Sequence, residues 1–447
     1  MTANVRSASP QYNSGKGEGS PVGIALLGHG TVGAQVLRLM DEYADELEHR
    51  IGGPLEVKGV AVRNVEKHRE TVPAELLTDD AYSLIQRDDV DIVVEVIGGI
   101  DYPRELVLAA LKAGKSVVTA NKALIAAHYQ ELGDASDESN VDLYHEAAVA
   151  AAIPVVGPLR RSLAGDRIKS VMGIVNGTTN FILDGMDSTG ADYDEMLAEA
   201  TRLGYAEADP TADVEGFDAA SKAAILASIA FHTPVYAKDV HREGITNISP
   251  DDIKAAQAAG YVIKLLAICE RCTNQEGKEV VSARVHPTLV PRSHPLASVS
   301  KSFNAIFVEA EAAGRLMFYG NGAGGSPTAS AVLGDIVGAA RNTVHGGRAP
   351  GQSTYANLPI ADFGDVSTRY HVDMEVEDRI GVLADIAKIF TKHGISLRTV
   401  RQHQGDDHAR LILVTHTARE QDLEEVVDEL KKLEAVRGIE SVIRLEE

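Results

Sequence analysis

The sequence predicts an α/β protein that begins with a doubly wound parallel sheet, continues into an α+β domain and ends in a ferredoxin-like unit. Three observations support this prediction. A glycine-rich turn at 28–33 lies between an apolar strand and a helical pattern. Short apolar runs then alternate with helical patterns to about residue 144, as in a parallel sheet. From residue 370 onwards, strands of period two and helices of period 3.6 follow the order βαββαβ.

The length and composition are those of a globular protein of several domains. The chain has 447 residues, of which 44% are hydrophobic and 24% charged, and its formal net charge is −22. Such an acidic chain is unsuited to nucleic acid or to an anionic membrane. No uncharged apolar run reaches the roughly 18 residues of a spanning helix. Residues 1–20 lack the apolar core of a signal peptide, so we expect a disordered tail on a cytoplasmic protein.

The two cysteines, Cys269 and Cys272, are spaced CERC. A CxxC pair forms a zinc or redox site when a second pair or a thioredoxin-type βαβ unit accompanies it. The sequence offers neither, so we assign these two thiols no role.

The first motif is the segment GHGTVG at 28–33. It directly follows the predicted strand Val22–Leu27 and opens a helical pattern that runs to Met40. Strand, glycine-rich turn and helix in this order are typical of a dinucleotide site of Rossmann type. The alternative is a glycine-rich turn in an unrelated α/β protein.

The three glycines of this motif have separate tasks in such a site. Gly28 allows the tight turn, Gly30 lets the backbone approach a pyrophosphate, and Gly33 lets helix and strand pack closely. The helix N-terminus then stabilises the phosphate charge. The candidate cofactor-binding residues of the turn are Gly28, Gly30, Thr31, Val32 and Gly33.

The end of the second predicted strand, Leu55–Val62, indicates which dinucleotide binds. A site that prefers NAD carries Asp or Glu there for the ribose 2′-hydroxyl. This chain has Arg63 instead, with Lys67, His68 and Arg69 close behind. Because an arginine holds a 2′-phosphate well, we predict a preference for NADP, with NAD tolerated. The alternative is a solvated basic loop.

Three further strands complete the predicted parallel sheet, at Asp91–Val96, Ser116–Thr119 and Val141–Tyr144. Gly98 follows the first of them, and Lys122 follows the second. Ligands bind beyond the carboxyl ends of such strands, so both residues are candidates for cofactor contact.

A second glycine-rich segment, GNGAGG at 320–325, precedes a helical pattern that begins at Thr328. A glycine loop that opens a helix suits the edge of a cofactor. A flexible turn is the alternative.

The stretch Gly204–Lys222 holds five acids and one base. Its first half is punctuated as a loop, and its second half enters an alanine-rich helix. Asp218 and Lys222 are four residues apart, so they share a helix face. A lysine held among carboxylates can exchange a proton with an oxyanion. The alternative is a solvated surface pair worth only about 0.2–0.5 kcal/mol.

A polar segment at 176–180, NGTTN, is typical of a loop that lines a pocket.

The segment EAAVAAAI at 146–153 places one carboxylate beside small residues whose backbone carbonyls could bind a monovalent cation. The alternative, which the residues by themselves favour, is a buried junction between strand and helix.

The remainder of the chain divides into a connecting segment and the ferredoxin-like unit. Residues 341–369 are rich in Gly, Pro and polar residues, and part of them could still pack on the main body. The strands predicted after it are Tyr370–Glu377, Ser396–Arg401, Leu411–Val414 and Glu440–Leu445, with helices around Val382–Phe390 and Leu423–Leu430.

Together these motifs resemble the homoserine dehydrogenase family, in its monofunctional bacterial form with a C-terminal ACT domain. The resemblance covers nearly the whole chain after residue 21. The segments that carry it are GHGTVG at 28–33, TANKALIA at 119–126, EAAVAAAIPVV at 146–156, GIVNGTTNFIL at 173–183, GYAEADPTADVEGFDAASK at 204–222, GNGAGGSPTASAVLGD at 320–335 and, for the ACT domain, EDRIGVLADIAKIF at 377–390.

The resemblance implies a reaction, a set of site residues and a division into domains. The reaction is hydride transfer between NAD(P)H and L-aspartate 4-semialdehyde, which gives L-homoserine. The implied domains are a tail at 1–20, a dinucleotide-binding domain at 21–150, a catalytic and dimerisation domain at 151–340, the connecting segment at 341–369 and the ACT domain at 370–447. The implied roles are Lys222 as acid/base with Lys122 and Asp218 beside it, Glu207, Asp213 and Asp218 for substrate, Gly204 and Gly322 for cofactor, and Glu146, Val149, Ala151 and Ile153 for sodium.

The resemblance also implies regulation and assembly. The ACT domain is expected to sense threonine, with the loop 378–383 as its ligand edge. A homodimer or homotetramer is expected.

Two other classes of protein share some of these features. Aspartate-semialdehyde dehydrogenase needs a cysteine nucleophile, and both cysteines lie outside every motif. A non-enzymatic sensor of dinucleotide or amino acid would leave the acid-and-lysine stretch idle.

Overall fold

The computed structural model describes residues 15–404 and 408–446, and of Gln404 only the backbone. The chain forms two compact units. Unit 1 comprises the described residues up to Gly157 together with Ala323–Ser353. Unit 2 comprises Pro158–Gly322 and the described residues from Thr354 onwards.

Unit 1 is built on a sheet of six strands, all paired in parallel, which confirms the predicted doubly wound class. The order across the sheet is Leu77–Thr78, Leu55–Ala61, Val22–Leu27, Ile92–Glu95, Ser116–Thr119 and Leu143–Tyr144. The helices of unit 1 are Thr31–Glu42, Ala44–Ile51, Ala81–Ile85, Asp101–Lys112, Lys122–Glu138 and Gly325–His345.

The helix Gly325–His345 belongs to the core of unit 1, although the sequence assigned residues up to 340 to the catalytic domain. Its Val332, Ile336 and Val344 are buried among residues of the parallel sheet such as Ile24. The periodicity of this helix showed which face is apolar but not which sheet covers that face. The predicted boundary at 340 therefore differs from the compact units.

The predicted tail is shorter than expected. Residues 1–14 lie outside the described part of the chain, but the following residues pack on unit 1. Lys16 donates its backbone N–H to the carbonyl of Thr343, and its Nζ lies 2.7 Å from Asp91 Oδ2. The prediction of a disordered tail is thus wrong for residues 15–20.

Unit 2 contains one long mixed sheet. Its strands follow the order Gly314–Asn321, Phe303–Ala310, Ile168–Ile174, Tyr261–Thr273, Glu279–Pro291, Val436–Leu445, Ser367–Val376, Ala409–Thr415 and Leu397–Gln404, with His241–Arg242 beside Glu279–Pro291 and Ala418–Arg419 beside Ser367–Val376. The helices are Gly177–Thr189, Tyr193–Arg202, Thr211–Val214, Phe217–Phe231, Pro250–Ala259, Val382–Lys392 and Glu420–Leu430, with a π-helical turn at Pro158–Ser162.

The last four long strands and two helices of unit 2 form the predicted βαββαβ unit. This unit is continuous with the rest of the sheet, because Thr288 and Leu289 pair in parallel with Arg444 and Leu445. The predicted connecting segment, residues 341–369, is divided between the two units. Its first five residues end the helix Gly325–His345, and the segment near Pro359 exchanges backbone hydrogen bonds with Val281.

Candidate active site

The acid–lysine pair of unit 2 lies on the helix Phe217–Phe231. This helix starts after Gly216, whose φ of +80° lets the chain turn sharply before the first helical residue. Asp218 and Lys222 then stand one turn apart, and each is only 7% exposed. The pair is therefore not the solvated surface pair that the spacing also allowed.

Two hydrogen bonds fix the Lys222 ammonium group. Its Nζ donates to Asp218 Oδ2 at 2.7 Å and to the carbonyl oxygen of Val175 at 2.6 Å. A buried ion pair is costly to desolvate, and such bonds offset that cost. The lysine nitrogen is held in one place by two oxygens that accept its protons.

The polar segment at 176–180 supplies the second half of the site. Asn176 Nδ2 donates to Asp213 Oδ1 at 2.7 Å and to Asp218 Oδ2 at 2.9 Å. Thr178 Oγ1 lies 3.1 Å from Asp213 Oδ2. The residues Asn176, Thr178, Asp213, Asp218 and Lys222 thus form one connected group, here termed the acid–lysine cluster.

Asn176 also positions the backbone next to it. Its Oδ1 accepts the backbone N–H of Thr179 at 2.9 Å and so caps the helix Gly177–Thr189. Sequence reasoning noticed the polar segment but assigned no role to Asn176 or Thr178. The signal was the asparagine directly before a helix, which is an N-cap pattern.

Two residues predicted beside the cluster lie apart from its hydrogen bonds. Glu207 is exposed in the loop before Thr211, and its side chain forms no ion pair or hydrogen bond with the described residues. Gly204 has a φ of +79° and no atom within 4 Å of an added Cβ. Both residues border open space, where a ligand could approach.

In unit 1 the predicted glycine turn has the close packing that its motif requires. Gly28 has a φ of +103°, and an added Cβ would lie 2.9 Å from the carbonyl oxygen of Val96. A Cβ on Gly33 would lie 2.2 Å from the carbonyl oxygen of Gly28. A Cβ on Gly30 would meet nothing within 4 Å. The backbone at Gly30, where the helix with Thr31 and Val32 begins, is therefore open for a phosphate.

The second glycine segment packs in part against this helix. An added Cβ on Gly325 would lie 2.8 Å from Thr31 Cγ2, and Ser326 Oγ donates to Gln35 Oε1 at 2.9 Å. Gly322 belongs to unit 2, where an added Cβ would lie 1.9 Å from Asn304 Nδ2. The close packing against Asn304 is therefore a sufficient reason for a glycine at position 322.

A buried carboxylate that sequence reasoning missed organises the carboxyl edge of the parallel sheet. Glu95 is fully buried; its Oε1 accepts the backbone N–H of Ile97 at 2.8 Å, and its Oε2 accepts the hydroxyl of Thr119 at 2.6 Å. Thr119 Oγ1 in turn accepts the backbone N–H of Asn121, and Asn121 caps the helix that begins at Lys122. This series of hydrogen bonds positions Gly98 and Lys122. The sequence gave no signal for the role of Glu95, because it shows only one acid at the end of an apolar run.

The basic loop after the second strand is exposed. Arg63 takes part in no ion pair among the described residues, whereas Arg69 pairs with Glu66. His68 from this loop reaches the glycine turn, since its Nδ1 lies 3.2 Å from Nδ1 of His29. Burial, and then the charge of His68, lowers the pKa of His29. The loop that carries Arg63 is thus fixed beside the glycine turn.

Comparison with protein families gives three matches that together span most of the chain. Residues 28–146 match the NAD-binding domain of homoserine dehydrogenase, residues 154–337 match homoserine dehydrogenase, and residues 370–435 match the ACT domain. The homoserine dehydrogenase of Corynebacterium glutamicum is 76% identical over 98% of this chain and 99% of its own length. The chain belongs to the homoserine dehydrogenase family.

Other relatives agree. The homoserine dehydrogenase of Mycobacterium tuberculosis is 58% identical over 96% of this chain and 99% of its own length. A solved homoserine dehydrogenase from Thiobacillus denitrificans is 39% identical, covers 96% of this chain and 99% of its own, and superposes with a TM-score of 0.90. A hyperthermophilic archaeal homoserine dehydrogenase in complex with NADPH is 30% identical, covers 72% of this chain and 98% of its own, and has a TM-score of 0.60. This family consists of oxidoreductases, so the chain is an enzyme.

The family resemblance implied a sodium ion at the segment 146–153, and the structure allows a test of that fit. Glu146 accepts backbone N–H groups from Val155, Val156 and Gly157 at 2.6–2.8 Å, so its carboxylate is fixed. The structure shows no hydrogen-bond donor, in the part of the chain it describes, to the carbonyls of three buried residues. These are Val149, Ala151 and Ile153. Buried oxygens without donors beside a carboxylate fit an oxygen-bound monovalent cation.

The backbone of this segment is unusual at two alanines. Ala150 and Ala151 have φ values of +54° and +47°, a region that glycine adopts freely and alanine does not. The structure shows that alanine adopts this conformation at both positions. In the described ranges, no group of three His, Cys, Asp or Glu residues is arranged to hold a metal ion, so a cation here would need backbone carbonyls in addition to the carboxylate of Glu146.

No helix in the described part of the chain is both long and apolar enough to cross a membrane.

Proposed function

We propose that this homoserine dehydrogenase interconverts L-aspartate 4-semialdehyde and L-homoserine with Lys222 as its proton donor and acceptor. The observation that supports this role is the buried Lys222 Nζ, held at 2.7 Å from Asp218 and 2.6 Å from the Val175 carbonyl oxygen. Asp218 binds Lys222 directly, and Asn176 links Asp218 to Asp213, so the lysine is connected to two carboxylates. We propose cofactor binding for unit 1 and proton transfer for unit 2.

The chemistry of the reaction agrees with this assignment. A bound nicotinamide would supply the hydride for aldehyde reduction and take it up in alcohol oxidation. During reduction, negative charge develops on the aldehyde oxygen, and a lysine ammonium stabilises that charge and gives its proton. During oxidation, the neutral amine takes the hydroxyl proton. Asp218 keeps the nitrogen in place in both directions.

The carboxylates of the cluster suit the amino group of the substrate. Asp213 and Asp218 carry two negative charges and Lys222 one positive charge, which leaves one negative charge to attract an ammonium group. We propose Asp213 and Asp218 as substrate-binding residues, with Glu207 on the exposed loop closing on the substrate. Fixed opposite charge orients a small substrate before reaction.

For the cofactor we propose NADP, with NAD tolerated. The exposed Arg63, which makes no ion pair in the described ranges, supports a 2′-phosphate site at the end of the second strand. The archaeal neighbour was solved with NADPH. Further contacts are proposed for Gly28, Gly30, Thr31, Val32, Gly33, Gly98, Lys122, Gly204 and Gly322, and sodium binding for Glu146, Val149, Ala151 and Ile153.

We further propose that the ACT domain binds threonine and that the enzyme acts in threonine and methionine biosynthesis in the cytoplasm as a homodimer or homotetramer. A cavity of about 580 Å³ at the end of the strand Ser367–Val376 supports an effector site. It is lined by the predicted loop 378–383 and by Gln402 and Leu411. Its volume suits a small molecule.

The test is homoserine oxidation followed at 340 nm with NADP and NAD in parallel, and with threonine added to a second set. Turnover that is faster with NADP and falls with threonine is expected. Turnover indifferent to threonine would remove the regulatory proposal but keep the catalytic one. Absence of turnover with both cofactors would favour the sensor alternative.

A further inference from the structure

A short segment of unit 2 holds the turn between the two aspartates of the acid–lysine cluster. We call residues 241–246 the strap. Ile245 donates its backbone N–H to the carbonyl oxygen of Val214 at 2.9 Å. Arg242 Nη1 donates to the carbonyl oxygen of Glu215 at 2.8 Å, and Thr246 Oγ1 donates to Glu215 Oε1 at 3.1 Å. All three bonds end on the residues that follow Asp213.

The strap and this turn also pack without free space. An added Cβ on Gly244 would lie 2.5 Å from the carbonyl oxygen of Val214 and 2.8 Å from Glu215 Cα. The guanidinium carbon of Arg242 lies 3.3 Å from the ring centroid of Phe217, the first residue of the helix Phe217–Phe231 that carries Asp218 and Lys222. A displacement of the strap must therefore break these hydrogen bonds or displace the turn, because closely packed segments have little room to move independently.

The other side of the strap is anchored by the last strand of the chain. Arg444 donates from Nη1 and Nη2 to the two carboxylate oxygens of Glu243, each at 2.8 Å. It also donates from Nε to Glu420 Oε1 at 2.6 Å. Burial alone would raise the pKa of Glu243, but hydrogen bonds from His241 and Arg444 outweigh burial and lower it. The carboxylate is therefore charged when Arg444 binds it.

We propose that Arg444 and Glu243 are positioning residues for substrate binding. Arg444 lies just beyond the ACT match, in the strand Val436–Leu445 of the ferredoxin-like unit. It fixes the strap, and the strap fixes the turn that separates Asp213 from Asp218. The proposal rests on the assignment of these two aspartates to the substrate.

The geometry predicts that loss of the Arg444–Glu243 ion pair weakens substrate binding. Asn176 bonds both aspartates at 2.7 and 2.9 Å, so it spans one particular spacing between them. A turn that is free to shift changes this spacing and weakens the site for the substrate ammonium group. None of the residues proposed to contact the cofactor belongs to the strap or to this turn, so the affinity for the cofactor should not change.

The experiment compares Arg444→Met and Arg444→Lys with the matched control Arg410→Met in the same full-length enzyme. Arg410 also forms a two-point ion pair within the ferredoxin-like unit, with Asp373, but among the described residues it forms no hydrogen bond or ion pair with the strap. KM for homoserine, KM for NADP and the melting temperature are measured for each variant. Arg444→Met should raise KM for homoserine at least about fivefold and leave KM for NADP within twofold of the parent value. Arg444→Lys should recover part of this loss, because lysine keeps the charge but not the two-point geometry.

A second variant keeps the test decisive if Arg444→Met does not fold. Glu243→Gln retains the shape of the side chain and leaves the Arg444–Glu420 pair intact, and it should also raise KM for homoserine alone. Equal changes in Arg444→Met and Arg410→Met, or an unchanged KM for homoserine in both Arg444→Met and Glu243→Gln, would overturn the proposal. Absence of homoserine turnover in the parent enzyme would instead refute the proposed function.

Discussion

The two units prepare their binding groups in different ways. In unit 1 the glycine turn offers backbone groups, and its packing leaves no room for side chains. A Cβ added to Gly28 would lie 2.9 Å from the carbonyl oxygen of Val96, and one added to Gly33 would lie 2.2 Å from the carbonyl oxygen of Gly28. In unit 2 the acid–lysine cluster offers side chains, which are fixed by hydrogen bonds between segments 37 and 42 residues apart. A backbone site fails when space is filled, whereas a side-chain site fails when one partner is removed.

Of the variants that test this difference between the units, Lys222→Met is expected to have the largest effect on activity. Loss of the proton donor should lower kcat by about 10²–10⁴-fold, as is typical for positioned acid/base groups. The affinity for NADP should remain, because the glycine turn lies in the other unit. Steady-state assays at 340 nm and a cofactor titration by fluorescence measure the two quantities. The exposed Lys254→Met is the control and should keep parental kcat.

Retention of kcat within tenfold of the parent enzyme in Lys222→Met would contradict the role of Lys222. A parallel loss of cofactor affinity would show that the two units are not independent.

The second test fills space in unit 1, and it uses two glycines of the same turn. Gly33→Ala should lower both the melting temperature and the affinity for NADP and NAD, by about tenfold or more, because its Cβ has no room beside the Gly28 carbonyl. Gly30→Ala should weaken cofactor binding with little change in melting temperature, since only a ligand occupies the space that its Cβ enters. Thermal unfolding and cofactor titration separate these outcomes. A destabilised Gly30→Ala would show that the open backbone there is structural.

The same contrast explains what could be predicted from the sequence. The glycine turn and the βαββαβ unit were predictable because motif spacing and periodicity are local signals. Asn176 was missed because its partners Asp213 and Asp218 are brought to it only by the fold. Glu95 was missed because one acid at the end of an apolar strand has no period.

Long-range packing also determines which core the helix Gly325–His345 joins. The helix Gly325–His345 carries an apolar face that would suit either sheet, and only the structure shows that the core of unit 1 covers it. The continuous sheet through Leu289 and Leu445 was missed for a related reason. A strand sequence does not show what its edge pairs with.

A third test concerns Arg63, the side chain proposed to determine the preference of unit 1 for NADP over NAD. Arg63→Ala should weaken NADP binding about tenfold to hundredfold, the value of charge-assisted hydrogen bonds worth about 1.5–3 kcal/mol. NAD binding should be unchanged, because NAD has no 2′-phosphate. Dissociation constants for both cofactors measure the ratio, and Arg69→Ala, whose side chain pairs with Glu66, is the control. Equal weakening of NADP and NAD would contradict the prediction.

The smallest effect concerns acid sensitivity. In unit 2 the pKa values of His286, His294 and His371 are lowered, and in unit 1 the pKa of His29 is lowered. His286 is fully buried, and burial, then Arg444 and Arg284, lowers its pKa, while Glu243 opposes them. Between that lowered pKa and the ordinary value of 6.5, the unfolded chain binds more protons than the folded chain.

The free energy of unfolding should therefore rise with pH in this window. It should decrease as the pH falls below about 6.5, by at most about 1.4 kcal/mol per pH unit for one histidine. Urea midpoints at pH 7.5 and 5.5, followed by circular dichroism, measure the difference. His286→Gln should reduce the loss between the two pH values, whatever it does to stability at pH 7.5, because glutamine takes up no proton. The exposed His49→Gln in unit 1 should leave the loss unchanged. An equal loss in the parent enzyme and in His286→Gln would show that the acid sensitivity of unit 2 arises elsewhere.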